Sequence, residues 1–310
     1  MKRRFQHPVK TSERGFVIIA VLWILVALSA LATIFSVYLS NSARALATTD
    51  TSFTTDALVS ASLELTAYQL LLSDEKSRPA QGAFRFRMDK AEARVTFISE
   101  GARVDLNAAP KEMLANLFEV LGAEQKAAGE IAERIVGWRT SPKENAANGE
   151  EALYLAASLA YTPRQSDFAH VNELGLVLGV SPEMAERVLP FVTIFNKSPG
   201  VDVLIAPAEV IAALPGMTPG ALDDFLKQRA SLPRNQAAIA SALGPAKAAA
   251  PPPKTSAFRV LTSLNFDDGR HAASEAVIVL GEAKAKEPFS ILSWQDDLAT
   301  GTRSFKRAGG

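Results

Sequence analysis

The chain has 310 residues, a length that fits about two domains and permits a sizeable buried core. It carries 33 basic and 33 acidic residues, so its formal net charge is zero, which argues against a dominant nucleic-acid partner and its basic footprint. It contains no cysteine, which excludes disulfides, thiolate nucleophiles, cysteine-ligated zinc and iron–sulfur clusters and leaves the redox compartment open.

Residues 1–14 carry Lys2, Arg3, Arg4, Lys10 and Arg14 against one acid, Glu13. From Gly15 to Ala43 nothing is charged, and Phe16 to Leu39 is strongly apolar. As a helix that run extends ~36 Å, enough for a hydrocarbon core of ~30 Å. The basic flank predicts a cytoplasmic N-terminus, an inner-membrane crossing and a periplasmic bulk after Ala43. Three readings stand side by side. A cleaved secretory signal has an apolar region of ~7–15 residues, shorter than this one. A plain anchor accounts for length and charge. The junction Arg14-Gly15-Phe16, a basic leader directly before the apolar helix, resembles the type IV prepilin leader. That resemblance implies that a prepilin peptidase cuts after Gly15 and that the new N-terminal Phe16 is methylated. Most pilin-class chains carry a Glu five residues after the cut, where this chain has Ala20. A carboxylate in hydrocarbon is costly unless paired. Ala20 therefore cheapens the lone helix in lipid and removes one docking contact.

Beyond the apolar run, Leu58, Leu63, Leu65, Leu70, Leu71 and Leu72 approximate a helical stripe, so the helix is expected to continue to about Leu72. "SDEKSRPAQG" breaks it. "AFRFRM" (83–88), "ARVTFIS" (93–99) and "ARVDLN" (102–107) read as short strands. Short helices follow. Asn107 is expected to cap the first, with Pro110 in its first turn; "EQKAAGEIAERIVGWR", "EALYLAASLAY", "SPEMAERVLPFVTIF" and "TPGALDDFLKQRA" are the others. Ser181-Pro182 and Thr218-Pro219 are cap-and-proline starts, and Ser141 to Glu144 has a capping-box pattern. "APKEMLANL" (109–117) is echoed by "APAEVIAAL" (206–214), and "LGVSPEMAERV" (178–188) resembles a helix-hairpin-helix turn. "GPAKAAAPPPK" (244–254) reads as a low-complexity linker. Strand patterns return at 257–266, 275–281 and 289–295, with a turn at Asp267 to Arg270. These late strands have no core of their own and are expected to join the early ones in one sheet.

The Gly15-Phe16 junction without a Glu at position 20, "DLNAAP", "IAERIVGWR", "AHVNELGLVLGVSPEMAERVLPFVT", "APAEVIAALPG" and the closing strands follow an order that resembles the type II secretion minor pseudopilin K family (general secretion pathway protein K). The resemblance implies an α+β fold. A long N-terminal helix packs on an antiparallel, pilin-like sheet, and a large all-α domain is inserted between the strands. The expected parts are a leader (1–15), an N-terminal helix (16–43), a discontinuous α/β domain (44–106 and 255–295), a helical insertion (107–245), an Ala/Pro linker (246–254) and a disordered tail (296–310). It also implies a place at the tip of a periplasmic pseudopilus with minor pseudopilins I and J, a supporting role in export, no enzymatic activity and no nucleic-acid partner. Family members bind calcium in an acidic loop, and the matching stretch offers Glu144, Asn148, Glu150 and Glu151. The competing assignment makes Ser141 to Glu144 a capping box and places Glu150 and Glu151 at a helix N-terminus. The alternative function is a membrane-anchored, pilin-like periplasmic protein whose hairpin turn, through the N–H groups of Gly179 and Val180, binds nucleic acid or another polymer; Glu173, Glu183 and Glu186 nearby oppose it. His7, His170 and His271 lack partners at ligand or triad spacing, and Trp23 and Trp138 read as packing residues.

Overall fold

A computed structural model describes residues 14–75, 77–141, 149–249, 255–281 and 286–296; for 14–17, 40–52 and 247–249 it describes the backbone alone. The chain divides into two compact units, Met1–Leu58 and Val59–Gly310. The first is helix throughout its described length. Helix α1, Arg14–Leu71, runs across the division. After Gly15 it contains neither glycine nor proline, so nothing interrupts its hydrogen-bond ladder. Its last turn is closed by Arg78, whose Nε donates to the Leu70 carbonyl at 3.0 Å.

The second unit begins with the end of α1 lying on a five-stranded sheet. Strands β1 (Gln81–Met88), β2 (Ala91–Ser99), β5 (Ala257–Phe266), β6 (His271–Leu280) and β7 (Phe289–Asp296) occur in the order β1-β2-β5-β6-β7, all antiparallel. The late strands thus join the early ones: Ser99 pairs with Phe258, across everything inserted between them. Asp89 holds a left-handed φ of 52° in the two-residue β1–β2 turn, a conformation Asp tolerates. Leu63, Ala67 and Leu70, spaced by four and three residues, face the sheet and pack on Val95, Phe97, Phe258, Val260, Ile278 and Leu280. The expected leucine stripe is split. Leu63 and Leu70 are buried, whereas Leu65, Leu71 and Leu72 are exposed, because one helix face cannot hold all of them.

Between β2 and β5 lies the helical block. Its elements are β3 (Val104–Asp105), α2 (Lys111–Val120), α3 (Gln125–Arg139), α4 (Gly149–Ala156), α5 (Pro182–Val188), β4 (Val192–Thr193), α6 (Ala208–Ala212), α7 (Pro219–Gln228) and α8 (Gln236–Leu243). Four local expectations change. The third early strand shrinks to β3 and pairs in parallel with β4 in a separate two-stranded sheet. Asn107 does not cap α2. Its amide bonds both ways with the Phe168 backbone, at 3.1 and 2.7 Å, and Pro110 is the cap residue, with no side-chain bond to offer. The 181–195 helix ends at Val188, where Pro190 directs the chain into a 3-10 turn and then β4. The linker does not open at 246: Gly244–Ala249 is a 3-10 run with Ala246 buried in the helical core.

The two-part echo in the sequence belongs to a larger repeat. Gly122, Gly179 and Gly216 have φ of 100°, 90° and 80°, and two residues after each comes the cap of a helix, Glu124, Ser181 and Thr218. Ser181 and Thr218 accept from the Met184 and Ala221 amides, as their pattern predicts. The first and third hairpins match further. Asp105 and Asp202 each accept a backbone N–H two residues on, Pro110 and Pro207 each precede a helix, and Arg139 and Arg229 each donate to the carbonyl before the proline, at 2.7 and 2.8 Å. Met113, Leu114 and Leu117 on one side and Val210, Ile211 and Leu214 on the other hold equivalent buried places in a single core.

Candidate functional site

Among the described residues, two features present apolar surface along α1. Ile18–Leu39 is 22 residues long, apolar enough to cross a membrane, and none of it is buried. At ~1.5 Å per residue it matches a hydrocarbon core of ~30 Å. Its Thr33 hydroxyl bonds back to the Ser29 carbonyl at 2.8 Å, which satisfies that donor within the helix. Trp23, expected to pack, is 71% exposed and belongs to this surface. Ala20 sits within the apolar run and adds no charge to it. Gly15 and Phe16 lie in the first turns of α1; their side chains fall outside the described residues.

The second feature is a groove of 840 Å³ in the Val59–Gly310 unit. Its floor is the outward face of α1: Leu65, Tyr68 and Leu71. One wall is the end of edge strand β1, Phe86 and Met88; the other is Pro288 and Phe289 at the start of the opposite edge strand, β7. Tyr68 is 61% exposed, and Leu72 is exposed beside it. A single exposed leucine is ordinary, but a contiguous apolar groove marks an interaction surface. Glu64, Arg87 and Glu287 rim it. Arg87 is occupied, with Nη2 at 2.8 and 2.7 Å from the two Asp267 carboxylate oxygens. Nothing in the groove combines a nucleophile with a base, so it offers shape and apolar area rather than chemistry. The alternation in "AFRFRM" puts Phe86 on the helix side of β1, but no local signal shows that β7 supplies the other wall.

Of the residues singled out as metal candidates, only Glu150 and Glu151 fall within the described residues. Glu144 and Asn148 lie outside the described residues. Glu150 stands 3.1 Å from Arg134 of α3, and its other oxygen is buried without a hydrogen-bond partner. Burial raises its pKa and Arg134 opposes the rise. Its carboxylate lies against Gly137, where a Cβ would come within 2.4 Å of it, so a larger residue there would make the Glu150 side chain shift. Among the described residues no group of three His, Cys, Asp or Glu is placed to hold a metal. Trp138 is a core residue, as expected: its ring lies 6.0 Å from those of Tyr154 and Phe168 and its Nε1 donates to Glu173. Burial pushes the Tyr154 hydroxyl up to about 12, and it accepts from the Leu178 amide. In the hairpin turn, the Val180 N–H already donates to the Val177 carbonyl at 3.1 Å. His170 and His271 bond locally, to the Asn172 amide and the Asn265 side chain. Asp267 and Asp268 close the β5–β6 turn, as expected, and pair with Arg87 and Arg270.

A family model described as "Type II secretion system (T2SS), protein K" matches residues 95–197. Over that stretch the chain is similar to the family. The match runs from within β2 through β4 and covers the first two hairpins of the helical block. "Type II secretion system protein K" of Klebsiella pneumoniae is 27% identical over 127 residues, which is 36% of this chain and 39% of the relative. The chain thus aligns with about two fifths of that curated relative's length. Among solved structures, "The Crystal Structure of the GspK-GspI-GspJ complex from enterotoxigenic Escherichia coli Type 2 Secretion System" is similar with a TM-score of 0.55. The identity is 16%, and the match covers 77% of this chain and 94% of that one, a likeness of fold.

Proposed function

We propose that the chain is a minor pseudopilin that caps the tip of the periplasmic pseudopilus of a type II secretion system and supports its assembly and protein export, with minor pseudopilins I and J as partners. The observation that carries this reading is the apolar groove on the outward face of α1, in a chain whose sheet is interrupted by a helical block. A repeating filament subunit needs neighbours on both sides. A capping subunit needs one lateral docking surface and tolerates a bulky insertion. The test is co-purification of the full chain with I and J. Tyr68→Glu combined with Leu71→Glu places two charges in the groove and should reduce capture at least about tenfold, since burying an unpaired charge is costly. Undiminished capture would remove the groove from the reading. No observation favours the polymer-binding alternative, which needs the Val180 N–H that Val177 already holds.

The same reading orients the anchor with its N-terminus in the cytoplasm and its bulk in the periplasm. It makes Gly15-Phe16 a prepilin-peptidase junction and Phe16 the methylated N-terminus. Intact mass from a peptidase-positive host should show the loss of residues 1–15, and Gly15→Leu should block that loss. A mature chain still carrying its leader would sink the pilin reading. Calcium in the Glu144–Glu151 loop has the least support, because Glu150 is committed to Arg134. We expect millimolar calcium to leave the melting temperature unchanged. A rise would come through binding linkage and would assign Glu144, Asn148 and Glu151 as ligands.

A further inference from the structure

Among the described residues, the sheet and the helical block share no apolar core. One cluster of buried apolar residues runs from Val104 to Ala246, the other joins Leu63, Ala67 and Leu70 to the sheet, and no residue belongs to both. Between them lies a buried cluster of charged and polar side chains. Glu100, in a 3-10 turn directly after β2, is fully buried. One of its oxygens accepts from Arg103 Nη1 at 3.1 Å and from Arg259 Nε at 2.8 Å. The other accepts from Arg259 Nη2 at 3.2 Å and from the Thr193 hydroxyl. Arg259 belongs to β5 and also pairs with Glu275 of β6, so it reports for the sheet. Thr193 belongs to β4, and Arg103 donates through Nε to the Pro190 carbonyl at 3.1 Å, so these report for the block. Two acids and two arginines make the cluster neutral. Around it the backbones interlock: the Asp202 amide donates to Gly101 O, the Asn196 side chain to Arg103 O, and the Lys197 amide to Asp105 Oδ2.

We propose that this cluster is a polar joint, with Glu100 as its keystone, which holds the helical block and the sheet as one rigid body and which, once its charge is removed, releases the block with both apolar cores intact. A joint of this kind differs from a shared hydrophobic core. Apolar burial is non-directional and fails gradually, whereas a buried charge cluster depends on every member being satisfied. Removing the Glu100 charge leaves the Arg103 and Arg259 guanidiniums buried together without an anion between them. The members of the cluster are polar or charged and stand outside both sets of apolar contacts. The joint also needs strands from beyond the block. Arg259 and Glu275 lie C-terminal to the block, and Glu100 has only Arg103 and Thr193 until β5 docks beside β2.

The test uses the full chain in detergent, with thermal unfolding and amide hydrogen exchange read by peptide. The wild type should unfold in one transition. Glu100→Gln should unfold in two. Peptides covering 99–106 and 190–202 should exchange at least about tenfold faster, while those from α2, α3 and β6 keep their protection. Glu100→Gln with Arg259→Gln, which restores charge balance, should return most of the joint's protection. Three results would overturn the proposal: a single transition with unchanged exchange in Glu100→Gln, loss of protection spread evenly over both cores, or a balanced variant no better than the single one.

Discussion

The helical block and the sheet reach a buried core by opposite routes. The block builds its core from helix hairpins close in sequence, each turned at a left-handed glycine and restarted two residues later. The sheet waits for its far end: β2 has its neighbour β5 only after the whole block has passed, and Ser99 lies opposite Phe258. Local contacts form early and cheaply, whereas distant ones carry loop-closure entropy first. The difference explains how an insertion of this size is accommodated. Its two ends leave and enter on adjacent strands, so the block need satisfy only one short junction.

The strongest way to break the comparison is to replace residues 108–245 by a short linker. With separate cores, the remainder should keep the β2–β5 pairing, and its denaturant m-value should fall by roughly half, in proportion to the surface no longer exposed on unfolding. A remainder without cooperative unfolding would mean that the sheet depends on the block. Next come single truncations. Phe97→Ala removes half of the edge-to-face pair with Phe258, 6.4 Å between centroids, and should cost ~3–5 kcal/mol. Trp138→Ala should cost about as much in the other core. Hydrogen exchange should show each loss confined to its own core; spreading across the joint would blur the division.

A smaller effect follows from acid. Burial pushes the Glu100 carboxyl up, but the Arg259 and Arg103 guanidiniums, with the Arg259 and Thr193 hydrogen bonds, outweigh it and hold the pKa below the ordinary carboxylate value. A lowered folded pKa contributes stability that is present above the unfolded value of 4.5 and is lost as pH falls through the folded one. Joint peptides should therefore lose exchange protection as the pH falls below the ordinary carboxylate range, before the α2 and α3 peptides do. The smallest effect concerns caps. Ser181→Ala and Thr218→Ala should each cost ~1 kcal/mol in urea unfolding of the block and leave the sheet untouched.

The corrections in the fold share one cause. "ARVDLN" alternates like a sheet strand, and alternation alone does not say which partner a strand finds; Val104 and Asp105 found β4. Asn107 has the chemistry of a helix cap, but the Phe168 backbone offered it two bonds where α2 offered one. The groove was half legible. The alternating Phe84 and Phe86 mark a half-buried strand, and Leu65, Leu71 and Leu72 spread too wide for one buried face, which left apolar surface over. That Phe289 would stand across from Phe86 was not legible, because the two lie on opposite edges of a sheet whose order depends on long-range pairing.

By itself the sequence determined the apolar run, the alternation of most sheet strands, the cap-and-proline helix starts and the order of parts that resembles the protein K family. All of these rest on period, propensity and local hydrogen bonding, which neighbours along the chain decide. Only the tertiary structure decided the Glu100 joint. Glu100 and Arg103 are three residues apart and could have been a surface pair, while Arg259 looks like any outward charge on a strand. They become a buried, neutral cluster only when the strand after the block docks beside the strand before it, because the strength of a charge pair is set by how much water the fold removes around it.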